Sequence, residues 1–282
     1  MLAALIALFA LGGPAHALEP TFESDLSLSY FPLGVRYSAR PGLKQPLWNA
    51  EPGQGAKSAI LGDTFLHASA VADFTPSYIA IGPKLTFQPA AIFDVSAYTV
   101  MSSYYGTFSS FIGYENADDP WTDEYADAAA DAGLRGSGAA RVYGASSTLK
   151  AKAGNVIIAL NGSVESWTIS TADNVVGDYV YEPASDLLLE RKDQVMSGTA
   201  LVLYDWQLGD GRWIYIGPIG VVRSAAETGS KIARAGVLTK LHTRDGRWSY
   251  LLLAQPYLIH PVQSVGLPFL ALQARYTFKP RT

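Results

Sequence analysis

The sequence contains no cysteine, which excludes disulfides and thiolate-ligated metals. It is also poor in charge: 16% of its 282 residues are Asp, Glu, Lys or Arg, against roughly 25% in an ordinary soluble domain. Beyond the N-terminus no run approaches the roughly 18 to 20 uninterrupted apolar residues that a helical span requires, so the missing charge is not explained by transmembrane helices. A basic surplus is lacking too. The net charge of −4 and a pI near 5.6 give no electrostatic footprint for nucleic acid. Glycine has no collagen-like period, and an aromatic content of 12% excludes disorder.

Residues 1–17, MLAALIALFALGGPAHA, form a short apolar stretch broken by Gly12, Gly13 and Pro14 and closed by Ala15-His16-Ala17. That ending fits the small-x-small rule of signal peptidase and predicts a signal peptide cleaved after Ala17. No Lys or Arg precedes the apolar core, a departure from the usual form. The mature chain, 18–282, is then expected outside the cytoplasm as one domain.

Period-2 alternation fills that chain and predicts an all-β fold. The clearest case is C-terminal: Leu270, Leu272, Ala274, Tyr276 and Phe278 share one face, while Ala271, Gln273, Arg275 and Thr277 share the other. Two segments echo each other, Gly209-Asp210-Gly211-Arg212-Trp213-Ile214-Tyr215 and Arg244-Asp245-Gly246-Arg247-Trp248-Ser249-Tyr250. Asp-Gly suits a tight hairpin because Gly supplies positive φ without steric cost. The Trp-x-Tyr pair after each turn predicts rings at equal height in an interfacial aromatic girdle.

The strand Leu272-Gln273-Ala274-Arg275-Tyr276-Thr277-Phe278, alternating and ending in an aromatic residue near the C-terminus, resembles the assembly signal of Gram-negative outer-membrane β-barrels, although Lys279 to Thr282 follow it. This class-level resemblance implies a single-chain antiparallel transmembrane β-barrel in the cell outer membrane of a Gram-negative host. It also implies insertion by the barrel-assembly machinery and contact with outer-membrane lipid and lipopolysaccharide.

Ten strands are expected, near 26–39, 62–80, 85–104, 138–151, 155–170, 194–207, 212–224, 230–242, 247–261 and 267–279. Twelve is the runner-up count, because 178–190 can hold another strand and Gln88-Pro89-Ala90 can split the third. Connections alternate in length: long at 40–61, 105–137 and 171–193, short at Gly82-Pro83-Lys84, Ala153-Gly154 and Gly209 to Gly211. Long outer loops with short periplasmic turns are the outer-membrane pattern. Pro32, Pro83, Pro89, Pro218, Pro256 and Pro261 fall in or beside these strands, where each removes a ladder donor.

Candidate chemistry is sparse. His67-Ala68-Ser69 places His67 and Ser69 on one strand face, where an imidazole can accept a hydroxyl proton. The spacing resembles the His-x-Ser of outer-membrane acyl hydrolases, of both phospholipase and lipid A deacylase types. The third polar group those enzymes need is missing from the apolar region around Ile79 to Ile81, so His67, Ser69 and Asp73 read instead as lumen-facing polar residues. The Asp-x-His of omptin-type proteases is absent. Carboxylates gather between Tyr114 and Gly136 as Glu115, Asp118, Asp119, Asp123, Glu124, Asp127 and Asp131, beside Arg135 alone. Calcium takes such oxygens, but the spacing does not fit an EF-hand, and a solvated outer loop is expected. His16, His67, His242 and His260 are too scattered for a metal site. No catalytic residue, metal or cofactor is assigned.

Alternation projected onto a barrel turns Arg36, Asp94, Ser96, Asn161, Glu165, Arg234, Lys240, His242, Gln273 and Arg275 inward. Such mixed charge either lines a narrow polar path or pairs across the lumen and plugs it, and a small barrel favours plugging. Three functions follow in order: a narrow porin-like channel for small solutes, without enzymatic activity; a non-enzymatic anchor or scaffold of an envelope-spanning machine for motility, secretion or polysaccharide export, with periplasmic or envelope-complex partners; and a lipid acyl hydrolase using His67 and Ser69. A soluble secreted β-protein is the remaining alternative.

Overall fold

The computed structural model describes residues 18–30, 34–47, 64–107, 111–117, 123–175, 177–260, 266 and 268–278. The predicted signal peptide lies outside the described residues, as do Pro32, Pro261, Asp118 and Asp119. The strands are β1 (Glu19–Tyr30), β2 (Gly34–Pro46), β3 (Phe65–Phe74), β4 (Tyr78–Ala90), β5 (Phe93–Tyr104), β6 (Gly113–Tyr114), β7 (Gly138–Ala153), β8 (Val156–Thr171), β9 (Tyr179–Glu182), β10 (Leu187–Glu190), β11 (Lys192–Gln207), β12 (Trp213–Ala225), β13 (Lys231–His242), β14 (Trp248–Ile259) and β15 (Pro268–Thr277), with a helix α1 (Asp123–Asp131). Twelve strands close one antiparallel barrel in the order β1-β2-β3-β4-β5-β7-β8-β11-β12-β13-β14-β15, with β15 paired back to β1. The other three, β10-β9-β6, form a separate sheet.

The count is therefore twelve, and the expected ten is corrected in two places. The strand expected at 26–39 is a hairpin of β1 and β2, and the pair expected at 62–80 and 85–104 is three strands. Gly82-Pro83-Lys84 makes no turn; it lies inside β4, where a Cβ on Gly82 would sit 1.8 Å from the carbonyl oxygen of Thr99. That glycine serves a close approach of β5, the other use of the residue beside turns. The real turn is Thr75-Pro76-Ser77, where Thr75 Oγ1 accepts the amides of Ser77 at 3.1 Å and Tyr78 at 2.9 Å. The extra hairpin moves the first long connection, 47–64, to the end carrying both chain termini, so loop length does not alternate strictly. That end also carries the turns 91–92, 154–155, 208–212 and 243–247. Both termini and most of the short hairpins mark it as periplasmic.

Prolines within strands are tolerated where pairing is already irregular. Register shifts between Phe87 and Ala90, around Pro89, and between Ala233 and Arg234, on the strand facing Pro256.

The barrel wall separates the alternating faces. Leu26, Leu28, Tyr37, Ile81, Met101, Leu160, Met196, Val222, Leu252 and Leu272 point outward and are exposed, and they carry no core on that side. A closed barrel leaves no unpaired edge in hydrocarbon, and an exposed apolar belt is what a bilayer covers. The chain is an outer-membrane β-barrel. Trp206, Trp248, Tyr250 and Tyr204 are exposed on the outer surface near the periplasmic rim, where amphipathic rings belong.

Half of the expected girdle echo is corrected. Trp248 faces out, but Trp213 and Tyr215 face the lumen, where Trp213 stacks on His242 at 4.9 Å and Tyr215 meets that ring edge-on at 5.3 Å. The turns differ by one residue: Leu208 pairs with Arg212 across Gly209 to Gly211, whereas Thr243 pairs with Trp248 across Arg244 to Arg247. A one-residue shift inverts every following side chain.

Candidate functional site

All ten residues projected inward from the sequence do face the lumen, since each pairs in register with other inward positions: Lys240 with Leu251, Asn161 with Thr148 and Thr199, and Arg275 with Asp25. The charges pair mainly with near neighbours. Asp25, whose side chain is fully buried, accepts Arg40 Nη1 at 3.1 Å and Gln273 Nε2 at 2.9 Å, and Arg275 Nη2 lies 3.8 Å away. This group joins β1, β2 and β15 across the closing seam. Tyr98 reaches over β7 to donate to Glu165 Oε1 at 2.5 Å, and Trp167 Nε1 donates to Glu165 Oε2 at 3.0 Å. Lys152 pairs with Asp205. Each contact satisfies charge that would otherwise be buried alone.

His67, Ser69 and Asp73 face the lumen as expected. His67 Nε2 bonds Thr21 Oγ1 at 2.8 Å, Ser69 lies opposite Lys84, and Asp73 accepts Ser38 Oγ at 2.5 Å. The His67 ring thus points across to β1, and His67 and Ser69 share a face without forming the nucleophile–base contact that acyl transfer uses.

The outer mouth is where sequence reasoning missed most. The described parts of 105–137, which include the Tyr114–Gly136 segment expected to be solvated, and of 172–191 fold inward together. Phe111, Val180, Leu187 and Leu189 join the inward residues Tyr78, Tyr104, Val142, Trp167, Val195 and Ile232 in one buried apolar cluster. On the far face of the small sheet, Ile112, Tyr114 and Leu188 pack with Ala129 of α1, Tyr125 and Leu134. The carboxylate-rich segment is therefore partly a lid-like layer: α1 places Ala129 inward, while Asp127 and Asp131 remain exposed. Among the described residues, no three potential metal ligands gather.

Close approach makes the docking specific. Phe111 is fully buried, stacks on Tyr104 at 4.3 Å and adopts φ of 62°, a conformation that an aromatic side chain rarely takes. A Cβ on Gly138 would lie 1.8 Å from the Phe111 ring, so only glycine lets the ring seat there.

The turn of the β9–β10 hairpin carries the latches. Glu182, fully buried, accepts Tyr104 Oη at 2.8 Å and the amides of Ser185 at 2.6 Å and Ala184 at 3.1 Å. Burial pushes the Glu182 carboxyl above the usual carboxylate range, and those hydrogen bonds oppose the shift. Asp186, at φ of 60°, accepts Tyr257 Oη at 2.6 Å and Tyr181 Oη at 3.0 Å, with His260 Nε2 at 3.4 Å. Arg223 donates to the carbonyls of Ala184 and Ser185, both at 2.9 Å. Thr228 Oγ1 donates to Leu188 O at 2.8 Å. The hairpin is thus held from β5, β12, β14 and two outer connections at once, spanning the mouth. Plugging was expected from cross-lumen charge pairs; an inserted hairpin with an apolar underside supplies it instead.

A clue to this stood in the sequence. Leu187-Leu188-Leu189 is a continuous apolar run, and a barrel strand with one face in lipid and one in water alternates. All three are fully buried, which fits a strand packed on both faces.

No protein-family model matches the sequence, and no characterised relative is recognisable from it. Solved structures similar to the chain include the β domain of the Bordetella autotransporter Brka, at 9% identity and a TM-score of 0.46, covering 93% of this chain and 100% of that one. The KdgM porin aligns at 8% identity and a TM-score of 0.37, covering 92% and 99%. The translocator domain of the autotransporter NalP from Neisseria meningitidis aligns at 10% identity and a TM-score of 0.37, covering 98% and 93%.

Proposed function

We propose that the protein is a gated outer-membrane channel for small solutes, closed at rest by the β9–β10 hairpin. One observation carries this reading: the plug sheet β10-β9-β6 shares no ladder with the barrel. Its attachment is through side chains and loop amides, so it can leave the mouth while all twelve wall ladders persist. Below it, Asn161 and Lys152 face inward yet are exposed, as residues of a water-filled lumen are. On this reading His67 and Ser69 are wall residues and no reaction is catalysed.

The test is solute flux into proteoliposomes. The wild type should pass small sugars and ions slowly and in bursts, and replacement of Asp178 to Glu190 by a short Gly-Ser link should raise the flux strongly. A variant as tight as the wild type would remove the channel reading. Hydrolysis of phospholipid or lipid A by the wild type, lost in Ser69→Ala, would replace it with the enzymatic one.

A further inference from the structure

The wall against which the hairpin turn docks is built of donors. Arg223 of β12 donates to the carbonyls of Ala184 and Ser185, both at 2.9 Å. Tyr257 of β14 donates to Asp186 at 2.6 Å, and His260 Nε2 lies 3.4 Å from the same carboxylate. On β13, between those two strands, stands Arg234, which pairs in register with Val221 and Tyr257 and so sits one inward position from Arg223. Arg234 is only 7% exposed. Its guanidinium lies over the rings of Phe269 at 4.0 Å and Tyr257 at 5.4 Å, and its Nε has no hydrogen-bond partner among the described residues. Directly below this pair the wall turns apolar, as a leucine cluster of Leu203, Leu238 and Ile219, so the arginines belong to the mouth.

Everything the hairpin turn presents to Arg223, Tyr257 and His260 is an oxygen: two carbonyls and a carboxylate. Neither arginine forms an ion pair among the described residues. Glu165, whose charge reaches Arg223 from β8, already accepts Tyr98 and Trp167. When the hairpin leaves, Asp186 and Glu182 leave with it, and the wall keeps two guanidiniums, a phenol and an imidazole facing the lumen. A guanidinium has donors and no acceptor, and its strong bonds are those to anionic oxygen.

We infer that this wall is a binding site for a small oxygen-rich carboxylate, a sugar acid or hydroxy acid, for which the 184–186 turn is a built-in stand-in. The solute's carboxylate takes the place of Asp186 beside Tyr257 and Arg234, and its neighbouring oxygens take the place of the Ala184 and Ser185 carbonyls at Arg223. A ligand that binds only where the hairpin has left holds the mouth open, and the ratio of released to docked hairpin rises about tenfold at ten times its Kd. Opening by this ligand rests on the channel reading, while binding itself stands alone.

The experiment titrates the full chain in detergent micelles, at constant ionic strength, with three probes: gluconate, sorbitol as its uncharged counterpart, and propionate as a carboxylate without hydroxyls. Proteolysis within 178–190 reports the released hairpin. Gluconate should raise cleavage saturably, whereas sorbitol and propionate should need at least about tenfold more or fail to act. Calorimetry on the protein with 178–190 shortened measures the site without its competitor. Gluconate should bind there more tightly than to the full chain, and Arg223→Gln or Arg234→Gln in that background should each weaken it about tenfold, with folding checked by heat-modifiable mobility. Cleavage indifferent to gluconate, equal responses to sorbitol or propionate, binding no tighter without the hairpin, or folded arginine variants as tight as their parent would overturn the inference. Flux through the same proteins separates the two proposals: gluconate bound by a protein that passes no solute would overturn only the channel, and flux without gluconate binding only the ligand site.

Discussion

The outer and inner halves of this barrel solve the same problem differently. Both must settle what meets the side chains that the wall turns inward. The outer half uses a borrowed core: Phe111, Val180, Leu187 and Leu189 come from loops and pack on wall residues as a domain core would. The inner half uses its own wall, with ion pairs around Asp25 on one side and the leucine cluster on the other. A borrowed core can be withdrawn; wall residues cannot. On the proposed channel reading, the difference puts opening at the mouth and selectivity below it.

Variants should separate the halves. The largest effect on the barrel itself is expected from Asp25→Ala, which strands Arg40 at the seam and leaves Arg275 only its 4.0 Å contact with Glu23; allowing for the partial exposure of both arginines, it should cost about 1–3 kcal/mol. Urea unfolding followed by gel mobility would register this, with protease resistance of the outer loops unchanged. An Asp25 variant that instead frees the hairpin first would mean that the halves are coupled. Gly138→Val drives a side chain into the Phe111 ring and should destabilise docking by about 1–3 kcal/mol, seen as increased cleavage within 178–190 at unchanged barrel unfolding. Tyr257→Phe removes the 2.6 Å bond to Asp186 and should cost about 1–2 kcal/mol, raising the undocked fraction about 5- to 30-fold. Equal cleavage in wild type and variant would show that this latch carries no load.

The smallest effect is that of pH. Burial raises the Glu182 carboxyl in the docked state, so that state binds the proton more tightly than the released hairpin does. Docking is therefore strongest below the ordinary carboxylate range and weakens as pH rises through the raised value. Outer-side acidification should lengthen closed times, and Glu182→Gln should flatten the dependence. A dependence of the opposite sign, or one that survives Glu182→Gln, would assign the titration to another group.

Lateral order was legible from the sequence, and insertion was not. Inward residues from Arg36 to Arg275 followed from alternation because a strand's side-chain period is fixed at two. Strand count failed where Thr75-Pro76-Ser77 turns and Gly82-Pro83-Lys84 does not, since glycine serves both turns and close approaches. Trp213 and Trp248 share a motif but not a face, because one additional turn residue reverses the register. The plug was hidden for a different reason: its hairpin makes contacts from Tyr104 to Tyr257, far apart in the chain, and no local pattern encodes which loop enters a lumen. Only Leu187-Leu188-Leu189 hinted that some strand was buried on both faces.

The central claim, that the mouth is shut above a wet lumen, can be tested with a single thiol, because the chain has no cysteine of its own. Asn161→Cys places that thiol inward and below the plug. Its reaction with a membrane-impermeant maleimide should be slow from the outer side in the intact protein and fast once 178–190 is shortened. Equal outer-side rates in the two proteins would contradict the account.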